Sequence, residues 1–196
     1  GTQGISLLVG IVLARLLSPT DYGVRSLLLV FVNISRVFVQ SGLNTALIQR
    51  LKVEEADLSA VFTLSLGIAG GLYAILFAAA PAIAGFYALP ELTALMRVLA
   101  LILFPGALQS VQQAVIAREM AFQKLMVASI AANLTSGAVG VGMAYAGCGV
   151  WALIGQQLVS QVLVCVILLF TVAWRPRLLF AWSRVRSLFS FGWKLL

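Results

Sequence analysis

Residues 16–50 read LLSPTDYGVRSLLLVFVNISRVFVQSGLNTALIQR, and this stretch decides the fold. It opens on a polar turn of the Pro-Asp-Gly kind at 18–23 and continues as an apolar run of helix length. Inside that run, Asn33, Arg36, Gln40 and Asn44 follow one another at spacings of three, four and four. On an α-helix such spacings put side chains on one face. An arginine within a membrane span costs several kcal/mol, and it normally faces a bundle interior or a watery cavity. The rest of the chain reads as the wall around that face.

Composition points the same way. The chain has 196 residues, 62% of them hydrophobic, with a mean hydropathy of +1.06. Only 10% are charged, too few to cover a soluble surface. Apolar segments recur along the whole length, so a cleaved leader does not explain them. The expectation is an all-α integral membrane protein. The sequence starts at Gly1 inside an apolar run and ends at 191–196 (FGWKLL), which reads as the start of a seventh helix. A piece of a longer membrane protein is expected.

Six segments have the length and apolarity of membrane helices, at about 1–17, 24–49, 58–86, 93–117, 122–146 and 150–173. Together they form an expected six-helix transmembrane lobe over 1–173. Short connections make sequential helices antiparallel neighbours. Asp57 reads as the N-cap of the third helix, Pro90 as the start of the fourth, and 146–149 (AGCG) as a glycine turn.

The net charge is +7 and the pI about 10.1, but the basic residues sit at the ends of apolar runs. That distribution fits membrane orientation rather than nucleic-acid binding. Arg50, Lys52, Arg118, Lys124, Arg175, Arg177, Arg184 and Arg186 fall on one side, which is therefore taken as cytoplasmic together with the N-terminus. Residues 174–196 interleave those last four arginines with tryptophan and phenylalanine. They read as a basic amphipathic cytoplasmic linker meeting anionic membrane lipids.

Polar stripes recur on other helices: Gln109, Gln112 and Gln113 on the fourth, Ser129, Asn133 and Ser136 on the fifth, Gln156, Gln157, Ser160 and Gln161 on the sixth. Two readings stand side by side. The stripes line one amide- and hydroxyl-rich cavity, or they tie helices together as hydrogen bonds and small-residue contacts. The candidate substrate-binding set is Asn33, Arg36, Gln40, Asn44, Gln109, Gln113, Asn133 and Gln157. Arg25, nearer the end of its helix, reads as a snorkelling boundary residue.

Every carboxylate falls in or beside a loop, so a proton relay or sodium site built from membrane Asp or Glu is not expected. There is no histidine, and Cys148 and Cys165 are seventeen residues apart, about 25 Å along one helix. No metal, cofactor or paired-carboxylate enzyme site is expected. Residues 147–152 (GCGVWA) fit a dinucleotide fingerprint, but no strand precedes them.

Several stretches carry a family resemblance: 14–23 (ARLLSPTDYG), 41–50 (SGLNTALIQR), 95–100 (LMRVLA), the connection 118–124, 149–153 (GVWAL) with Gln156 and Gln157, and 174–176 (WRP). In this order and spacing the chain resembles polysaccharide flippases, O-antigen and colanic-acid type, of the multidrug/oligosaccharidyl-lipid/polysaccharide exporter superfamily. The resemblance implies a two-lobe transporter about twice this length, of which this would be the first lobe and the linker. It implies transport of undecaprenyl-diphosphate-linked oligosaccharides across a bacterial inner membrane. It also implies cavity cations that meet diphosphate and sugar acids, with Arg36 the best-placed candidate. The alternative within the superfamily is a cation-coupled multidrug exporter, which would want a buried carboxylate that these spans lack. A glycan polymerase would want a large outer loop, and a scaffold would leave Arg36 without a purpose.

Overall fold

The computed structural model describes residues 2–40 and 55–172, and every regular element among them is an α-helix. Asn44, the 41–50 motif and the 174–196 linker lie outside the described residues. The helices are α1 (Thr2–Leu16), α2 (Pro19–Gln40), α3 (Glu55–Phe86), α4 (Glu91–Ala100), α5 (Leu103–Glu119), α6 (Phe122–Tyr145) and α7 (Val150–Thr171). Among the described residues, four spans are long and apolar enough to cross a membrane: Asp57–Phe86, Glu91–Glu119, Phe122–Tyr145 and Val150–Thr171. Helix α1 includes a shorter apolar stretch, Leu7–Leu16, and the 22-residue α2 interrupts its apolar run with Arg25, Asn33 and Arg36. The chain is an all-α, multi-pass membrane piece.

The 18–23 stretch is not a six-residue turn. Helix α2 begins at Pro19, whose fixed φ and missing N–H suit a first helical position. Ser18 caps it: its backbone N–H donates to Asp21 Oδ2 at 2.9 Å, and the Asp21 N–H donates to Ser18 Oγ at 3.3 Å. This reciprocal pair satisfies two of the otherwise orphaned donors at the helix start. Asp57 likewise lies within α3, two residues past its start at Glu55, rather than capping it.

The fourth apolar run is bent. Pro105 has no N–H to offer the Leu101 carbonyl four residues back, and its ring crowds that carbonyl. Helix α4 therefore ends at Ala100 and α5 restarts at Leu103. Across the break the Phe104 N–H donates to the Leu101 carbonyl at 3.2 Å, a tighter three-residue bond. The α6–α7 turn runs through Gly147 and Gly149, at φ +78° and +54°, where a side chain would be strained.

Three apolar clusters hold the bundle. Leu28 and Val32 of α2 pack with Leu95, Met96 and Leu99 of α4 and Ile154 of α7. Val61 of α3, Val111 and Ile116 of α5, Ala128 of α6 and Leu168 of α7 form the second. Leu13 of α1, Ala144 of α6 and Leu153 of α7 form the third. In lipid, helix association rests on close packing rather than on escape from water. The α1–α6–α7 packing shows such closeness: a Cβ on Gly137 would stand 2.7 Å from Val9 Cγ2, and one on Gly140 2.9 Å from Gln156 Cβ. Many outward side chains are apolar, as lipid contact requires, among them Leu7 and Leu8 of α1, Met126 and Val127 of α6, and Phe170 of α7.

Helix α3 packs on α4, α5 on α6 and α6 on α7, with α4 and α5 running on as one bent span. Helix α1 departs from this. It lies along α6 and touches α2 only slightly, although a single short turn joins them. The cleft this opens between α1 and α2 positions the site.

Candidate functional site

The floor of the α1–α2 cleft is a cavity of about 260 Å³ bounded by α1, α2, α6 and α7. Arg25 and Tyr22 of α2 line it, with Asn133 and Ser136 of α6 and Gln156, Gln157 and Ser160 of α7. Gly10, Leu13, Ala14 and Leu153 complete the wall, so the lining holds one cation, amides and hydroxyls and no carboxylate. Arg25 donates to Gln157 Oε1 at 3.4 Å, and Ser160 donates to Asn133 Oδ1 at 3.4 Å. The Tyr22 hydroxyl reaches back to the Gly10 carbonyl at 3.4 Å, bridging the mouth between α1 and α2. The Arg25 Nε is buried and finds no hydrogen-bond partner among the described residues.

A second polar chain runs beside it. Arg36 donates to Gln161 Oε1 at 3.4 Å, and the Gln161 amide donates to Gln109 Oε1, which ties α2, α7 and α5 together. Arg25 with Gln157 and Arg36 with Gln161 pair in the same sequence order, so α2 and α7 run parallel. The two arginines are eleven residues apart, three turns and about 16 Å along one helix face. In each case the described partner is a neutral amide. The guanidinium charge is thereby oriented but not cancelled, which leaves it free to attract an oxyanion.

The expected residues divide by position. Arg36 and Gln109 share the Gln161 chain, while Asn133 and Gln157 line the cavity. Asn33 is exposed on α2, and Gln113 is exposed on α5. Gln40 closes α2, and its side chain lies outside the described residues, as does Asn44. The structure adds Arg25, which lines the cavity and bonds Gln157, and Gln161. Both carried a signal: Arg25 lies eleven residues before Arg36, and Gln161 four after Gln157. Gln112 is different again. It is fully buried and donates to the Cys165 carbonyl at 3.4 Å, a structural tie between α5 and α7.

A second cavity, about 460 Å³, lies at the other edge of α2 between Val24, Leu89, Leu92, Leu95 and Val150. It is apolar apart from Glu91 and offers little to a charged or hydroxylated ligand.

Sequence comparisons bear on the family. The profile of the polysaccharide biosynthesis protein family matches residues 12–196. The chain is 30% identical over 194 residues to the succinoglycan biosynthesis transport protein ExoT of Rhizobium meliloti (strain 1021), covering 98% of this chain and 39% of that protein. It is 26% identical over 166 residues to the teichuronic acid biosynthesis protein TuaB of Bacillus subtilis (strain 168), covering 81% of this chain and 33% of that protein. The chain thus spans between a third and two fifths of the length of these relatives. No solved structure matches it significantly.

Proposed function

The chain belongs to the polysaccharide biosynthesis protein family, and from that premise we propose that it is one lobe of a flippase for lipid-linked glycans. The cargo is an undecaprenyl-diphosphate-linked oligosaccharide or polysaccharide repeat unit, and the membrane is the bacterial inner membrane, with the N-terminus cytoplasmic. A second helical lobe outside this chain completes the path.

One observation carries the reading. Arg25 and Arg36 stand half-buried on one face of α2, and among the described residues each is held by a glutamine of α7 rather than by a carboxylate. A cation retained at membrane depth is costly, and such residues mark ion and substrate pathways. A diphosphate supplies the opposite charge, and the surrounding Asn133, Gln157 and Ser160 supply donors and acceptors for sugar hydroxyls. Transport rather than catalysis also accords with the transport function in the name of the Rhizobium relative.

The test is translocation. The full-length parent is supplied to a strain lacking its own flippase, and the lipid-linked glycan is assayed in each leaflet. Outer-leaflet glycan that disappears with Arg36→Gln supports the reading. Glycan retained on the inner leaflet despite normal expression of the parent counts against it.

A further inference from the structure

We propose that Arg97, on the outward face of α4, binds the phosphate of an anionic phospholipid of the surrounding bilayer. The site is separate from the α2 arginines, and Arg97 lines neither cavity described above.

Helix α4 sorts its side chains by face. Leu92, Leu95, Met96 and Leu99 are buried in the cluster that α4 shares with α2 and α7. Ala94 and Leu101 are exposed, and Arg97 falls between them at spacings of three and four. Those spacings place Arg97 on the outward stripe, turned away from α2. On the adjoining α3, Phe77 is 42% exposed, and the guanidinium carbon of Arg97 lies 4.0 Å from the centre of its ring. This cation is held at an apolar outer surface, not in a polar cleft.

Depth selects the partner. Helix α3 has 32 residues and is about 48 Å long, against roughly 30 Å of hydrocarbon. Centred, it leaves about 9 Å beyond the hydrocarbon at each end. Arg97 stands six residues past the start of α4 at Glu91, about 9 Å below the α3–α4 turn. Its backbone is therefore level with the hydrocarbon edge. Lipid phosphates sit just beyond that edge, and an arginine at this level snorkels to them or draws them in.

Within the described residues the charge is supported but not cancelled. An aromatic ring attracts a cation and offers no acceptor oxygen. The Arg97 Nε has no hydrogen-bond partner among the described residues. Glu91 of the same helix is about 9 Å up the axis and about 120° around it, out of reach of an ion pair. The Phe77 ring packs on Tyr73 at 5.9 Å, and Tyr73 on Phe104 of α5 at 5.5 Å, so a row of rings across α3 and α5 backs the guanidinium. The guanidinium fork matches phosphate oxygens in pairs. A zwitterionic headgroup brings an ammonium that competes with Arg97, so an anionic lipid is favoured. The exposed Phe77 and Leu101 give its acyl chains an apolar wall.

Two membrane components carry such phosphate, the bilayer phospholipid and a lipid diphosphate cargo, and both are probed. The full-length parent in neutral detergent is titrated with dioctanoyl phosphatidylglycerol, dioctanoyl phosphatidylcholine and farnesyl diphosphate, with binding read by native mass spectrometry. The wild type is expected to prefer phosphatidylglycerol to phosphatidylcholine. Loss of one charge-assisted contact predicts about tenfold weaker binding of phosphatidylglycerol in Arg97→Gln, with Arg97→Lys keeping part of the affinity. Ala94→Glu sets a carboxylate one turn from an intact Arg97 and should weaken the same lipid to a similar extent. Arg15→Gln, at an exposed cation of α1, should leave it unchanged. Phosphatidylglycerol binding unaltered in both Arg97→Gln and Ala94→Glu overturns the proposal. So does an equal loss in Arg15→Gln, which makes the effect one of general charge. A loss confined to farnesyl diphosphate also overturns it, because Arg97 then serves the cargo and not the bilayer. None of these outcomes bears on Arg36, whose test is export.

Discussion

Arg36 of α2 donates to the side-chain carbonyl of Gln161 on α7 at 3.4 Å, and Gln161 passes its own amide on to Gln109 of α5. A carboxylate at position 161 would have cancelled the charge. An amide fixes the guanidinium and leaves it positive.

Replacing Arg36 by Gln in the full-length parent removes the charge at nearly constant length. Charge-assisted hydrogen bonds contribute about 1.5–3 kcal/mol, so export is expected to fall about tenfold or more. The check is the amount of lipid-linked glycan in the outer leaflet at matched expression. Export equal to wild type removes Arg36 from the mechanism.

Gln161→Glu is expected to mimic that loss with Arg36 still present. The new carboxylate pairs with the guanidinium, and a partly buried pair of this kind withdraws the cation from any substrate. Export should fall about tenfold, while the melting temperature in detergent holds or rises. A variant that loses export because it unfolds would give the opposite thermal result.

Gly140→Ala places a methyl group 2.9 Å from Gln156 Cβ, and Gly137→Ala places one 2.7 Å from Val9 Cγ2. Overpacking of this order costs about 1–3 kcal/mol. Both should lower the melting temperature. Gly142→Ala, where the added carbon meets nothing within 4 Å, is the matched control and should leave it unchanged or raise it slightly.

Pro105→Ala restores an N–H opposite the Leu101 carbonyl. Helices α4 and α5 should then fuse, and amide exchange over 101–106 should slow. Exchange as fast as in the wild type would place the cause of the break elsewhere than in the proline.

The all-α membrane class was legible because apolar runs of membrane length need no tertiary information to be recognised. The α2 start was less so. Ser18, Pro19, Asp21 and Gly23 are all turn residues, but the same Ser-x-x-Asp spacing also makes a capping box, and that is the form taken. The break at 101–102 was written in Pro105, yet the run 93–117 is predominantly apolar and reads as one span. Spacings of three and four also sweep a wide arc of helix, so Asn33 falls on the exposed side while Arg36 turns inward. The glutamines were visible as stripes. Which of Gln109, Gln112 and Gln113 meets which neighbour depends on how α5 packs on α7, and no spacing within α5 contains that.

The polar content of α2 has a consequence for how the protein is made. Each arginine at the centre of a span adds about 2.5–3.5 kcal/mol to the free energy of partitioning from the ribosomal exit channel into lipid. With Arg25, Asn33, Arg36 and Gln40 aboard, α2 is less apolar than its companions α3, α6 and α7, although it is as long as α7. It therefore depends on those neighbours for insertion. Its arginines become tolerable only when Gln157 and Gln161 arrive with α7, more than a hundred residues later in synthesis. Until then α2 is exposed to mistargeting and quality-control proteolysis. Mutations that weaken α7 are thus expected to surface first as lost protein rather than lost transport.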